Sequence, residues 1–246
     1  MVDNRKHCWM MHRRAMGVIP GRLVLLMILS IWSGSVTAHA QEFQAGIDFI
    51  TVIPHGQFKQ NIKNNGYGGG GQFLVRVRQS PFLLGVDLGI VNYGSVSRKE
   101  LILPSVPDVR VDVSTDNNIF LAHFLARAQL RRGNVRPYVD GLLGLKHLFT
   151  LTSIRGNFDD GSIASETNLS DTSLSYGVGG GVQISLYKQP AKVEVLLDGK
   201  VRYLRGARAR YLKEGSIRRE NGLVFFDVLS SRTDVVGLQI GVTFQF

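Results

Sequence analysis

The chain has 246 residues, with 29 Lys and Arg against 19 Asp and Glu, a formal charge of +10, and 44% hydrophobic residues. That length accommodates one sizeable domain or two small ones. Cysteine is confined to Cys8, which excludes a disulfide scaffold and a zinc-thiolate centre and leaves packing and hydrogen bonding to hold the fold.

Residues 1–40 differ in character from the rest. Arg5, Lys6, Arg13, Arg14 and Arg22 stand against Asp3 alone, the apolar run LVLLMILSIW follows at 23–32, and the segment closes on Ala38-His39-Ala40. A charged region, a short apolar region and a small-x-small site read as a secretory signal peptide with cleavage after Ala40. The apolar run is too short for a comfortable helical span, which takes about 20 residues. The expected organisation is therefore 1–40 signal peptide and 41–246 a single domain. Met10, Met11 and Met16 are alternative starts. Cys8, Trp9 and Trp32 leave with the leader, and the remainder is only mildly basic. It carries no basic-aromatic cluster or nucleic-acid fold signature, so no nucleic-acid partner is expected.

Beyond residue 40 apolar residues recur at every second position in segments of about ten, the strand period. Eight such segments are predicted: 43–53, 69–78, 82–93, 119–131, 136–149, 174–187, 192–204 and 234–246. No helix is predicted among them. The connections alternate long and short: 54–68, then 79–81, then 94–118, then a tight turn near 132–135, then 150–173, then 188–191, then 205–233. An up-and-down sheet with tight turns at one end and elaborated loops at the other has this pattern. Parts of the long connections (101–103, 109–113, 223–228) are expected to prolong strands. GYGGGG at 66–71 reads as a flexible loop entering a strand, since it lacks the lysine and helix of a phosphate loop.

Alternation alone leaves open which face is inside. In a soluble barrel the apolar set points inward; in a membrane barrel it points to lipid. The polar set decides. It holds Asp48, Arg76, Asp87, His123, Arg127, Arg136, Asp140, Lys146, Glu194, Asp198, Lys200 and Arg202, both signs interleaved with glycines such as Gly177, Gly179 and Gly181. A confined charge is costly unless paired, so mixed signs with small spacers suit a narrow lumen. The apolar set is large and aromatic, including Phe73, Phe124, Tyr176, Tyr203 and Phe244. The reading is an all-β, eight-stranded antiparallel up-and-down transmembrane barrel.

With the terminal strand VVGLQIGVTFQF and segments such as RPYVDGLLGL, SYGVGGGVQI and GKVRYLRG, the chain resembles the small eight-stranded outer-membrane barrels of Gram-negative bacteria, the OmpA-transmembrane and OmpX-like group. The resemblance covers roughly residues 42–246. It implies that Phe246, with Phe244, Val242 and Ile240, is a signal read by the barrel-assembly machinery. It also implies tight turns on the periplasmic side, long connections outside, and a monomer set in outer-membrane lipid and lipopolysaccharide.

For chemistry the candidates are few. His55 lies in a loop with no acid near in sequence. His123 has lumen parity, with Asp87 or Asp140 as its expected partner. His147 faces outward, with Phe149 two residues on rather than the serine of the lipid-deacylase pattern. Asp159-Asp160-Gly161 reads as a turn rather than a calcium loop. No catalytic residue, metal or cofactor is expected. Arg205, Arg208, Arg210, Lys213, Arg218 and Arg219, against Glu214 and Glu220, belong to a solvated hairpin extension on the plainer reading, and are candidate contacts for anionic lipopolysaccharide on the other. The expected function is a non-enzymatic envelope component that binds an extracellular ligand through its outer loops. The alternatives are a narrow porin-like channel and a lipid A-modifying enzyme.

Overall fold

The computed structural model describes residues 42–78, 80–101, 110–156, 162–188, 193–220 and 223–246. The expected leader, Ile102, Leu103 and Val109, and the Asp159–Asp160 pair lie outside these. Among the described residues are twelve strands and one short helix: β1 Phe43–Pro54, α1 Gly56–Asn61, β2 Gly66–Arg76, β3 Phe82–Leu101, β4 Arg110–Gln129, β5 Val135–Gly156, β6 Ser162–Lys188, β7 Glu194–Gly206, β8 Arg208–Tyr211, β9 Ile217–Glu220, β10 Leu223–Phe226, β11 Leu229–Arg232 and β12 Val235–Gln245.

Eight of these strands close a barrel in the order β1-β12-β7-β6-β5-β4-β3-β2. Every neighbouring pair is antiparallel. The ring shuts where β12 pairs with β1. Phe246 N–H donates to Phe43 O at 2.9 Å, and Phe43 N–H donates to Phe246 O at 3.2 Å. No backbone edge is left among the eight strands, as a sheet crossing hydrocarbon requires. Among the described residues no helix is long and apolar enough to cross a membrane.

Register fixes the barrel's dimensions. Following paired residues around the ring from Gln44 gives Leu74, Gly85, Leu125, Leu142, Gly177, Leu204 and Val235, and the path returns to β1 at Pro54, ten residues further along. With a rise of about 3.3 Å per residue and strands about 4.8 Å apart, that stagger tilts the strands by about 40° and sets a backbone radius of about 8 Å. Such an interior is filled by side chains. Two glycines on β6 make the room: a Cβ on Gly179 would stand 2.6 Å from Arg202 Cγ, and one on Gly181 2.5 Å from the Tyr138 hydroxyl.

Two local expectations are corrected and a third is extended. The glycines 66–71 are not a loop: residues 66–71 belong to β2 and pair with β1 and β3 through the barrel ladder. Their alternation is invisible because glycine has no side chain to point. A six-residue helix, α1, occupies part of the first long connection, with Phe58 as its buried residue. The expected prolongation is present at Leu101, at 110–113 and at 223–226, and it runs further: the described residues of the connections at 94–118 and 150–173 are strand. β3 and β4 stay paired out to Leu101 and Arg110, and β5 and β6 out to Arg155 and Ser162. Outside the bilayer a strand has no apolar face, so polar stretches such as SVSRKE carry no period to read.

Candidate functional site

The outer face is uncharged through the body of the barrel. Outward positions on β3 are Phe82, Leu84, Val86, Leu88 and Ile90, all exposed. On β6 they run from Leu174 and Tyr176 through Val178, Val182 and Ile184 to Leu186, again exposed. Phe124 is 74% exposed and Val178 65%. On tilted strands, nine to eleven residues without an outward charge make a band about 25 Å tall, the height of a hydrocarbon core crossed by a barrel.

The inner face carries the charges. All twelve residues of the expected lumen set are buried, and they lie in layers. Nearest the short turns, Arg76 grips Glu42 with two hydrogen bonds of 2.8 Å. Arg136 grips Glu194 at 2.7 and 2.9 Å. A glutamine chain runs between them, with Gln44 Nε2 donating to Gln129 at 3.1 Å and to Gln245 at 3.0 Å.

The middle layer is one connected network. Arg127 donates to both oxygens of Asp140 at 2.7 and 3.0 Å. Arg202 bridges Asp87 at 2.7 Å and Asp140 at 3.1 Å. Lys200 donates to Asp48 at 2.7 Å and stands 3.6 Å from Asp198. Asp198 also accepts from Tyr138 and Gln72, and the Arg127 guanidinium lies 3.6 Å above the Tyr138 ring. Bidentate arginine-carboxylate pairs offset desolvation where single contacts would not. His123 takes neither expected acid as a hydrogen-bond partner. Its Nε2 meets Ser175 Oγ at 2.9 Å, because Arg202 already holds Asp87 and Asp140.

Above this layer Lys146 donates to the carbonyls of Thr233 at 2.7 Å and Leu204 at 3.2 Å. The lumen then turns apolar, which the sequence reading did not anticipate. Ile50, Val52, Leu121, Leu148, Leu204 and Val235 form one buried cluster with Phe58, Tyr93 and Tyr211. Phe58 is fully buried; its ring meets Tyr211 edge-on at 5.1 Å and Tyr93 at 5.9 Å. Asn61 donates to the Tyr211 hydroxyl at 2.8 Å, and Tyr93 donates to Leu212 O at 3.1 Å. The first and last long connections thus meet over the barrel's mouth. Tyr211 and Leu212 are buried, so this part of the last connection is packed rather than solvated.

The remaining candidates sit outside. Arg205 closes β7 on the outer face, and its guanidinium interacts with the hydroxyls of Tyr176 and Tyr203. Arg208 and Arg210 are exposed on β8; Arg210 Nε lies 3.9 Å from Asp171. Lys213 and Glu214 line a cleft of about 330 Å³ with Lys63, Asn64 and Tyr93. Arg218 and Arg219 are on β9, in register with Phe225 and Val224 of β10. Val242 lies partly covered on the outer face of β12 beside exposed Ile240, Phe244 and Phe246. His55 meets the Tyr203 ring edge-on at 5.7 Å. His147 Nδ1 lies 2.8 Å from Thr172 Oγ1 and the ring stacks on Phe149 at 5.6 Å. Among the described residues no cluster of His, Cys, Asp and Glu could hold a metal.

A closed antiparallel sheet, greasy outside and ionic inside, defines an outer-membrane-type transmembrane β-barrel. That assignment rests on the barrel's own closure and on the side chains it turns outward. No protein-family model matches the chain, and no curated protein matches it. Among solved structures it is similar to Neisserial surface protein A, at 13% identity over 83% of this chain and 95% of that one, with a TM-score of 0.37. It is similar to a major outer membrane protein of Thermus thermophilus, at 13% identity over 85% and 100%, with a TM-score of 0.42. The attachment invasion locus protein Ail of Yersinia pestis, in complex with the heparin analogue sucrose octasulfate, gives 17% identity over 84% and 97%, with a TM-score of 0.35.

Proposed function

We propose that the protein is a monomeric, non-enzymatic component of a Gram-negative outer membrane. It is exported by a signal peptide, and its barrel is an anchor and its outer hairpins are the binding surface for an extracellular ligand. The observation that carries this reading is the uncharged outer band about 25 Å tall around a lumen of buried ion pairs. Hydrocarbon explains both halves at once. The lumen argues against the channel alternative: Arg127, Lys146, Asp198 and Arg202 occupy its centre fully buried, and Phe58 sits over them. For the enzyme alternative, His147 is hydrogen-bonded to Thr172 and stacked on a phenylalanine. A general base needs an orienting partner as well as a proton to take, and the partner this ring has is a hydroxyl rather than a carboxylate.

The test has three readings on membrane-extracted protein. Heat-modifiable gel migration is expected. Planar bilayers are expected to show no steady conductance. His147→Ala is expected to leave lipid A profiles unaltered. A stable open channel, or a lipid change that depends on His147, would replace this function with the corresponding alternative. Loss of surface binding on trimming the β3–β4 and β5–β6 hairpins, with barrel migration retained, is the positive evidence for the binding role.

A further inference from the structure

The barrel's arginines differ in what they face. Arg76, Arg127, Arg136 and Arg202 point inward, and each is matched to a carboxylate within 2.8 Å. Arg205 points outward, and among the described residues it makes no ion pair. It is directly opposite Tyr176 across β6 and β7, and Tyr203 shares its face two residues earlier. The Arg205 side chain is exposed, and both phenol hydroxyls lie within its hydrogen-bonding reach. Tyr203 in turn is braced edge-on by His55.

Height matters as much as company. The outward positions below Arg205, on β7 and the residue before it, are Val193, Val195, Leu197, Gly199, Val201 and Tyr203, with no charge among them. Eleven tilted residues climb about 27 Å along the barrel axis. Arg205 therefore stands just past the hydrocarbon, at the level of lipid headgroups, where tyrosine is also at home. One step further out, Arg208 and Arg210 are exposed on the same flank. Asp171 on this flank is bound by the Arg210 and Thr172 backbone N–H groups at 2.8 and 2.9 Å and stands 3.9 Å from Arg210 Nε. The flank thus offers a planar donor fork and two hydroxyl groups, and the fork lacks an anion.

We infer that Arg205, Tyr176 and Tyr203 form a lateral site for the phosphate of a phosphorylated outer-leaflet lipid, with Arg208 beside it as a second cation. The inference rests on the membrane reading proposed above. It places lipid recognition on the side of the barrel rather than at the tips of its loops. A guanidinium engages two oxygens of one phosphate through parallel N–H donors. The tyrosine hydroxyls donate to the same group once the anion draws them. The acyl chains then lie along the exposed surface of Val178 and Val201, which stand on the membrane side of the Arg205–Tyr176 level, so headgroup and chains are bound by one continuous face. A soluble anion would gain only the first of these contacts.

The test is native mass spectrometry of the membrane-extracted protein in neutral detergent, titrated with phosphatidic acid, with phosphatidylcholine, or with inorganic phosphate. Wild type is expected to retain phosphatidic acid adducts. Arg205→Gln should weaken them at least tenfold, and the Tyr176→Phe, Tyr203→Phe pair severalfold. Arg132→Gln, in a turn at the opposite end, should change nothing. Arg205→Lys should fall between, since a point charge replaces the fork. Equal adducts on wild type and Arg205→Gln would overturn the site. Full displacement by inorganic phosphate would overturn the lipid as its occupant. Loss of heat-modifiable migration or failure to insert into vesicles in wild type would instead defeat the membrane reading. A folded, inserted wild type with no preference for phosphatidic acid defeats this inference alone.

Discussion

Arg127 and Asp140 are paired directly across β4 and β5, and their side chains close on each other at 2.7 and 3.0 Å with no solvent exposure on either. Asp140 also receives Arg202 at 3.1 Å, so one carboxylate serves two guanidinium groups at the barrel's centre. Asp140→Asn is expected to destabilise the barrel by about 3–5 kcal/mol, the usual consequence of stranding a buried charge. Urea-dependent folding into vesicles, read by gel mobility and far-UV circular dichroism, measures it. Replacing both partners, Arg127→Met with Asp140→Leu, should cost less than the single change. The opposite order would mean that this pair is not desolvated.

The inward parity of Arg127 and Asp140 was legible in the sequence because His123, Arg127 and Gln129, and Arg136, Tyr138, Asp140 and Lys146, fall at even spacings among apolar neighbours. Their pairing was not. It is set by the turn between Gln129 and Val135, whose Gly133 takes φ +113°, and turn geometry fixes register in a way that composition does not reveal. The apolar upper lumen was hidden for another reason. In DFITVI both faces are apolar above Asp48, since Phe49 looks to lipid and Ile50 and Val52 into the cap, so alternation vanishes where burial is two-sided. Glu42, the partner of Arg76, stands before the first apolar segment and carried no signal of its own. Phe58 lies in a six-residue helix with one buried residue, too short to show a helical period.

Phe58 fastens the cap. Phe58→Ala removes a fully buried ring and should cost about 3–5 kcal/mol, spent locally in opening α1 from Tyr211 and Tyr93 rather than in unfolding the barrel. Limited proteolysis should cut near residues 56–64 faster in the variant while heat-modifiable migration persists. Bilayers should still show no conductance, because the ion-pair layer lies beneath. Unchanged cutting would show that Phe58 does not anchor the cap.

The outer face is expected to reject charge according to depth. Val178→Arg places a guanidinium on a side chain that is 65% exposed to the surroundings of the barrel wall. In lipid the cost climbs with depth towards about 2–4 kcal/mol at the midplane, and Val178, level with Tyr203 on the membrane side of Arg205, lies part of the way in. Thr172→Arg, near the headgroups, should cost far less. Folding titrations in phosphatidylcholine vesicles rank the two, and equal values would mean that water, not hydrocarbon, covers Val178.

Phe246 closes the ring through two backbone hydrogen bonds to Phe43. Deleting it removes that pair and the terminal aromatic together. If the aromatic is also an assembly signal, the amount of protein in the outer membrane of expressing cells should fall much more than the yield of unassisted folding in detergent. Equal losses in the two settings would assign Phe246 a purely structural role.

The central claim, that the apolar set faces lipid and the charged set a sealed interior, is open to one direct measurement. Cys8 is the only native cysteine, so once it is replaced a single cysteine at Phe124, Val178 or Ile240 carries a spin label without interference. In vesicles the labels should be readily relaxed by oxygen and poorly by a water-soluble nickel chelate. Labels at these positions that are relaxed by the chelate, or shielded from both agents, would contradict the account.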